Sequence, residues 1–370
     1  MKKILFFIPT LSAGGAEKVL VNLVNSLDKK KYCITVKTLF DVGVNKKFLS
    51  KNIKYDYFLK KRPIGIETIF KLFSPNFLFK IIIRKKYDYI ISYLEGTVTR
   101  ITSGCNYDCN LITWVHTEMQ QNYSVAFRNK DEMVKCYENI DKIICVSDDV
   151  RKSFNQYTDS RLTDKLFVIK NVINPSIIIQ NSKAKLNDKF VKKDVFRIIT
   201  VGRLDQNKNQ IRLIPMIKKF NDLGLNVELI IIGDGDEYSS INKSISDLKL
   251  TNVFMLGYLD NPYNYIASSD LYVCTSHKEG YSTTVMESLI LNVPILTTDC
   301  SGMNELLDNG KYGSIVKDDD EALYNELLKL INKKEIIKKY KNNQEKLLSK
   351  LKISYENNIK DFENVVLGDD

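Results

Sequence analysis

Ser276-His277-Lys278-Glu279-Gly280-Tyr281-Ser282-Thr283-Thr284-Val285-Met286-Glu287 lies between an apolar run, Leu271-Tyr272-Val273-Cys274, and a helix expected to end near Leu291. Two carboxylates, Glu279 and Glu287, bracket the stretch with seven residues between them. Gly280 frees the backbone for a tight loop. Ser282, Thr283 and Thr284 place hydroxyls and N–H groups at the helix start. The first N–H groups of a helix are unpaired and its dipole is positive there, so this strand–loop–helix suits a phosphate. A plainer reading serves the same residues. Thr284 and Glu287 match a capping box, and Glu279 reads equally as a solvated loop carboxylate. The rest of the chain decides between the two.

The same plan recurs from the start. Residues 3–9 read as a buried strand and Ser12-Ala13-Gly14-Gly15 as a glycine turn. Val19, Leu20, Leu23, Val24 and Leu27 then share one helical face. Two adjacent glycines are a weaker phosphate signal than three spaced ones, and a plain turn explains them too. Further strands are expected at 34–40, 89–93, 111–115, 143–146 and 166–170, then a polar linker at 176–194. The second half offers strands at 195–201, 227–232, 253–256, 271–274, 294–297 and 313–316, and amphipathic helices at 322–331, 336–350 and 354–366. Strands alternating with helices predict an α/β chain with doubly wound parallel sheets. Ligands of such sheets bind at the carboxyl ends of the strands. Those ends carry Glu95, His116-Thr117-Glu118, Gly202-Arg203 with Lys208, Gly233-Asp234-Gly235 and Gly257-Tyr258. A lone histidine is usually structural, so His116 has both readings open. Arg203 and Lys208 supply two cations at one loop, a planar fork and a point charge, which suit a diphosphate. Pro215, inside the next helix, is expected to kink it.

The chain has 370 residues, enough for about two domains. Its net charge of +10 is uneven: residues 1–175 hold 29 Lys and Arg against 17 Asp and Glu, the remainder 26 against 28. An anionic partner is therefore expected for the first half. Seven cysteines, odd in number and irregular in spacing, read as reduced thiols. Cys105 and Cys109 have no second pair nearby for a zinc site. The apolar run after Lys2-Lys3 is short and Pro9 ends it, which favours a first strand over a signal peptide. No run of about 18 apolar residues is present to span a membrane. Residues 46–87 are distinctive. Lys46-Lys47, Lys60-Lys61-Arg62 and Arg84-Lys85-Lys86 alternate with Ile64, Ile66, Ile69, Phe70, Leu72, Phe73, Phe77, Leu78, Phe79 and Ile81 to Ile83. Such interleaving predicts a surface lying on anionic lipid, with a pair of core helices as the plainer alternative. No recognised nucleic-acid motif appears.

The Glu279–Glu287 spacing resembles the glutamate-seven-glutamate signature of the retaining nucleotide-sugar glycosyltransferases of family 4, which have the GT-B fold. The resemblance extends, in the family's order, to Gly14-Gly15, to Val201-Gly202-Arg203-Leu204 with Lys208, to Ile232-Gly233-Asp234-Gly235, and to Thr297-Thr298-Asp299-Cys300-Ser301-Gly302 with Glu305. Val172 and Asn174 stand where the family's interdomain segment has a glycine and an aspartate. The resemblance implies two Rossmann-like domains facing across a cleft. Residues 1–175 would be the acceptor side, 176–351 the nucleotide-sugar side, and about 352–370 would cross back to the first domain. It implies that Arg203 and Lys208 stabilise the leaving diphosphate, with Gly14, Gly15, Gly202, Gly257 and residues 282–284 as donor contacts. Glu287 would take the ribose hydroxyls, and Glu279, Gly280 and Tyr281 the sugar, with His116 beside sugar or acceptor. No metal or other cofactor is expected. The implied activity is transfer of a hexose or N-acetylhexosamine, with UDP-sugar the expected donor class, to a polyprenyl-diphosphate-linked or polysaccharide acceptor on the cytoplasmic face of the membrane. Alternatives are a sugar-nucleotide epimerase or phosphorylase of the same fold, or a non-catalytic nucleotide-sugar-binding protein.

Overall fold

The computed structural model describes residues 1–117, 123–190 and 194–368. Glu118 lies outside them. The chain forms two compact units, Met1–Ile173 with Glu356–Asp370, and Asn174–Tyr355.

The first unit holds a parallel sheet of β1 (Lys2–Ile8), β2 (Tyr32–Phe40), β3 (Lys54–Leu59), β4 (Tyr89–Ser92), β5 (Asn110–Val115), β6 (Lys142–Cys145) and β7 (Leu166–Val168). Its strand order is β3-β2-β1-β4-β5-β6-β7. Ile4 to Ile8 are fully buried, as expected of a central strand covered on both faces. In-register pairing sets Ile4 opposite Ile34 on one side and Tyr89 on the other. The second unit repeats the plan with β8 (Phe196–Val201), β9 (Val227–Ile232), β10 (Val253–Met255), β11 (Leu271–Cys274), β12 (Ile295–Thr298) and β13 (Gly313–Val316), ordered β10-β9-β8-β11-β12-β13 and all parallel. Its core joins Ile198, Leu229, Ile231 and Val273 to Leu213, Ile217, Phe220, Leu323 and Leu327 from the helices.

In each sheet the winding reverses once, between β1 and β4 and between β8 and β11. These reversals open the crevices in which such sheets take ligands. The glycine turn follows β1, residues 202–209 follow β8, and the Glu279 loop follows β11. The fold therefore brings the sequence motifs to the topological switch points.

Three local expectations change. Residues 176–194 are not simply a linker, because Pro175–Ser182 is a helix. Asn174 Oδ1 accepts from Ser176 N at 3.0 Å, Pro175 sits in the first turn, and Ile178 is buried. A capping asparagine followed by proline is a helix start that the polar composition downstream conceals. Pro215 lies in the first turn of Leu213–Asp222, where no intrahelical bond is lost, so it gives no cause for a kink. Within 46–87 the short edge strand β3 was not anticipated; its burial is shallow and its pattern mixed.

The C-terminal segment belongs to the first unit. Phe362 is fully buried, with its ring 6.0 Å from Phe6 and 5.9 Å from Trp114. The carbonyl of Leu367 accepts from Lys2 Nζ and Tyr89 Oη, each at 2.7 Å. Among the described residues no helix is long and apolar enough to cross a membrane.

Candidate active site

In the second unit, Lys208 Nζ lies 2.5 Å from Glu279 Oε1. Ser276 Oγ donates to the same oxygen at 2.7 Å. Glu279 has 9% of its side chain exposed and Lys208 27%. Burial by itself would lower the Lys208 pKa. The Glu279 carboxylate outweighs it, with help from Cys274 and Asp205, and the pKa is raised. Lys208 is thus a fixed cation at the sheet's switch point. Arg203, at the end of β8, has its side chain mostly exposed, 3.9 Å from Asp205.

Hydrogen bonds stitch the two loops together. Thr275 Oγ1 donates to Lys208 O at 2.6 Å, His277 N to Asn207 O at 2.8 Å, and Asn207 Nδ2 to Lys278 O at 3.0 Å. Lys208 N donates to Asp205 Oδ1 at 2.9 Å.

The capping-box reading does not hold. Ser282 caps the helix Thr283–Ile290, accepting from Val285 N, while Thr284 Oγ1 bonds Tyr272 Oη at 2.9 Å. Glu287 is 2% exposed and accepts from Tyr263 Oη at 3.1 Å. It points inward, one turn beyond the cap. Gly280 and Tyr281 are buried at the loop's turn, where Gly302 (φ 79°) passes so close that a side chain on it would meet Gly280 O. Gly233 (φ 148°) and Gly235 (φ 157°) let the end of β9 run against the backbone of Gly202 and Leu204. Gly257 (φ 67°) stands in open space after β10.

In the first unit, Gly14 is extended (φ −77°) and precedes the helix Gly15–Ser26. The Glu17 carboxylate folds back over Gly14, where a side chain would collide with it. Leu11 N donates to Val42 O, Asn45 N to Leu11 O, and Asn45 Nδ2 to Ser12 O, tying the turn to the end of β2. His116 follows β5 and is buried. Burial pushes its pKa down to about 3, against a small opposing contact with the Tyr93 backbone. Its Nε2 has no hydrogen-bond partner among the described residues. Glu95 accepts from His116 N at 2.9 Å and Thr117 Oγ1 at 2.5 Å, and desolvation raises its pKa despite these bonds.

Arg203, Lys208, Glu279, Gly280, Tyr281, residues 282–284 and Glu287 therefore gather around β8 and β11 of one unit. Gly14, Gly15 and His116 lie at strand ends of the other. Sequence reading missed Ser276, which shares Glu279 with Lys208, and Tyr263, which orients Glu287. Tyr263 is 24 residues from Glu287, and no local pattern joins them. The asparagines flanking Lys208 were a usable signal, since Asn207 and Asn209 both turn toward residues 277 and 278.

Residues 13–177 match the family described as Glycosyltransferase Family 4, and residues 181–347 match Glycosyl transferases group 1. The chain is 27% identical over 384 residues to N-acetylgalactosamine-N,N'-diacetylbacillosaminyl-diphospho-undecaprenol 4-alpha-N-acetylgalactosaminyltransferase of Campylobacter jejuni, covering 96% of this chain and 98% of that one. It is 34% identical over 154 residues to the capsular polysaccharide biosynthesis glycosyltransferase CapM of Staphylococcus aureus, covering 40% of each. Among solved structures, Anabaena HepE in complex with UDP and glucose superposes with a TM-score of 0.78 at 19% identity, covering 95% of both chains. With two parallel Rossmann-like sheets and a motif-bearing switch point in each, the chain belongs to the group 1, or family 4, glycosyltransferases of GT-B fold, which transfer sugars with retention.

Proposed function

We propose that this protein transfers a hexose or N-acetylhexosamine from a UDP-sugar to a lipid-linked or polysaccharide acceptor, in capsule, O-antigen or exopolysaccharide synthesis at the cytoplasmic face of the membrane. The observation that carries the reading is the Lys208–Glu279 pair at the β8/β11 switch point, with Glu287 buried just behind the cap of the following helix. Lys208 and Arg203 stabilise charge on the leaving diphosphate, and the N–H groups at the start of Thr283–Ile290 add to them. Glu287 accepts the ribose hydroxyls. Glu279 takes sugar hydroxyls, with the Gly280–Tyr281 backbone. Gly202 and Gly257 leave room for the nucleotide. On the acceptor side, Gly14, Gly15 and His116 line the strand ends. The bond from the anomeric carbon to the diphosphate oxygen breaks, and the acceptor oxygen bonds the same face of that carbon. The departing phosphate oxygen takes the acceptor's proton.

The donor class and acceptor draw support from the Campylobacter relative, whose acceptor is an undecaprenol diphosphate glycan, and from the UDP complex of HepE. A surface of the first unit supports the membrane reading. Of the apolar residues of this segment, Ile66, Phe70, Leu78, Phe79, Ile82 and Ile83 are buried, whereas Ile64, Ile69, Leu72, Phe73 and Phe77 are exposed, as are Lys60, Lys61, Arg62, Lys80 and Arg84 of the same segment. This surface is built rather than frayed. Arg100, itself buried, donates to Phe70 O at 3.0 Å and Phe73 O at 2.8 Å, and Arg128 to Lys71 O at 2.6 Å and Leu72 O at 3.2 Å. The C-terminal carbonyls of Ile66–Leu72 are thereby satisfied; Ile66 and Phe70 pack inward while Ile69 and Leu72 face out. The test is incubation of the protein with labelled UDP-sugars and a polyprenyl-diphosphate-linked glycan in anionic vesicles. One sugar is expected to appear on the lipid; label that stays on nucleotide, or returns as an epimer or as sugar phosphate, would refute transfer.

A further inference from the structure

We infer that His277, with Asp318 and Arg212, is a positioning clasp that sets Lys208 relative to Glu279; the inference rests on the transferase reading above. His277 Nε2 is 3.0 Å from Asn209 Nδ2, and His277 Nδ1 is 2.6 Å from Asp318 Oδ2. The other Asp318 oxygen accepts from Arg212 Nη1 at 2.6 Å, and Arg212 Nε bonds Asp320 Oδ1 at 2.7 Å. Arg212 is joined to Asn209 by one short 3₁₀ turn, Gln210–Arg212. Asn209, Arg212, Asp318 and His277 thus close a ring, three of its links made by side chains and one by backbone.

The ring holds Asn209 in the left-handed region (φ 47°), immediately after Lys208. Asparagine adopts that conformation more readily than most residues, yet it still costs energy that surrounding bonds must offset. The ring also holds His277 two residues before Glu279. Through these two neighbours it reaches both members of the site without touching either side chain. An exposed ion pair by itself contributes little. Here both imidazole nitrogens are engaged, and Asp318 is anchored from behind by an arginine with 6% of its side chain exposed. The amide Asn209 Nδ2 is a donor and the Asp318 carboxylate an acceptor, so the two ring nitrogens of His277 meet groups of opposite kind.

A clasp of this kind acts most where charge develops. Lys208 displaced by a fraction of an ångström still attracts a bound diphosphate, but it fits the transition state less well. His277→Ala and Asp318→Ala are each expected to lower kcat about 10- to 100-fold, with donor KM changed less than about 3-fold. His277→Asn, whose amide still reaches Asp318, recovers most of the loss. In a Lys208→Met background, His277→Ala costs nothing further, because the clasp acts through that lysine. The experiment measures transfer by wild type, the single variants and the double variant, with a melting curve for each. A folded His277→Ala enzyme with wild-type kcat, or losses that multiply in the double variant, would overturn the clasp. If His277→Ala does not fold, His277→Asn and Asp318→Asn decide: wild-type kcat in both overturns it, and a loss of kcat in Asp318→Asn at unchanged KM supports it. Wild-type protein that transfers no sugar, or Lys208→Met with full activity, would instead overturn the transferase assignment of the site, and the clasp with it.

Discussion

Lys208 Nζ sits 2.5 Å from Glu279 Oε1, so the cation after β8 and the carboxylate after β11 are one ionic unit. Removing one partner leaves the other poorly matched. Lys208→Met is expected to destabilise the protein by about 1–3 kcal/mol, because among the described residues Glu279 keeps Ser276 and a weak contact from Cys274. Lys208→Met with Glu279→Gln should recover part of that loss. Urea titrations of the three variants check both. The raised Lys208 pKa fixes the pH sign. The pair's contribution is complete below about 10.4, the unfolded lysine value, and fades as pH rises through the folded one.

Tyr263 Oη donates to Glu287 inside the unit, 3.1 Å from its Oε1. Its pKa is raised by burial first and by Glu287 second, so it stays a donor at any working pH. Tyr263→Phe removes the bond and lets the carboxylate turn. Affinity for UDP, read by calorimetry, should fall roughly 5- to 10-fold, matching a net hydrogen bond of about 1–1.5 kcal/mol. Affinity for the 2′- and 3′-dideoxy analogue should change far less, since Glu287 then has no hydroxyl to accept.

His116 is held neutral by burial, with a folded pKa of about 3 against about 6.5 unfolded. The unfolded chain therefore binds the extra proton first, and stability falls as pH drops from 6.5 toward 3. Between pH 7 and pH 5 this histidine should cost roughly 2 kcal/mol. Denaturation at the two pH values, compared with His116→Gln, isolates the effect; an equal drop in both proteins would refute it.

The exposed apolar surface of the first unit predicts lipid selectivity. Wild-type protein should sediment with vesicles containing anionic lipid, less with zwitterionic ones, and the binding should weaken with salt. Leu72→Glu with Phe73→Glu should reduce binding at least about tenfold, since each change loses buried apolar area and adds repulsion. Unchanged sedimentation of the folded double variant would remove the membrane reading.

Much of the fold was legible because buried parallel strands are short and continuously apolar, as in residues 3–9 and 227–232, and because glycines mark where they stop. The motif loops were legible for the same reason. What stayed hidden depends on tertiary approach. Ser282 rather than Thr284 caps its helix because Tyr272, on β11, takes the Thr284 hydroxyl. Glu287 turns inward because Tyr263 awaits it. His277 reads as a loop residue until Asp318, 41 positions later, is folded beside it. β3 escaped notice because an edge strand carries little of the apolar pattern that marks the centre of a sheet.

Release of UDP from a panel of UDP-sugars, with membrane lipid extract as acceptor, tests the central assignment most directly when wild type is run beside Glu279→Ala. Turnover of one UDP-sugar, dependent on the lipid and reduced about 100-fold or more in the variant, is the predicted result. No release from any UDP-, GDP- or ADP-sugar by folded protein with acceptor present, or equal release by Glu279→Ala, would contradict it.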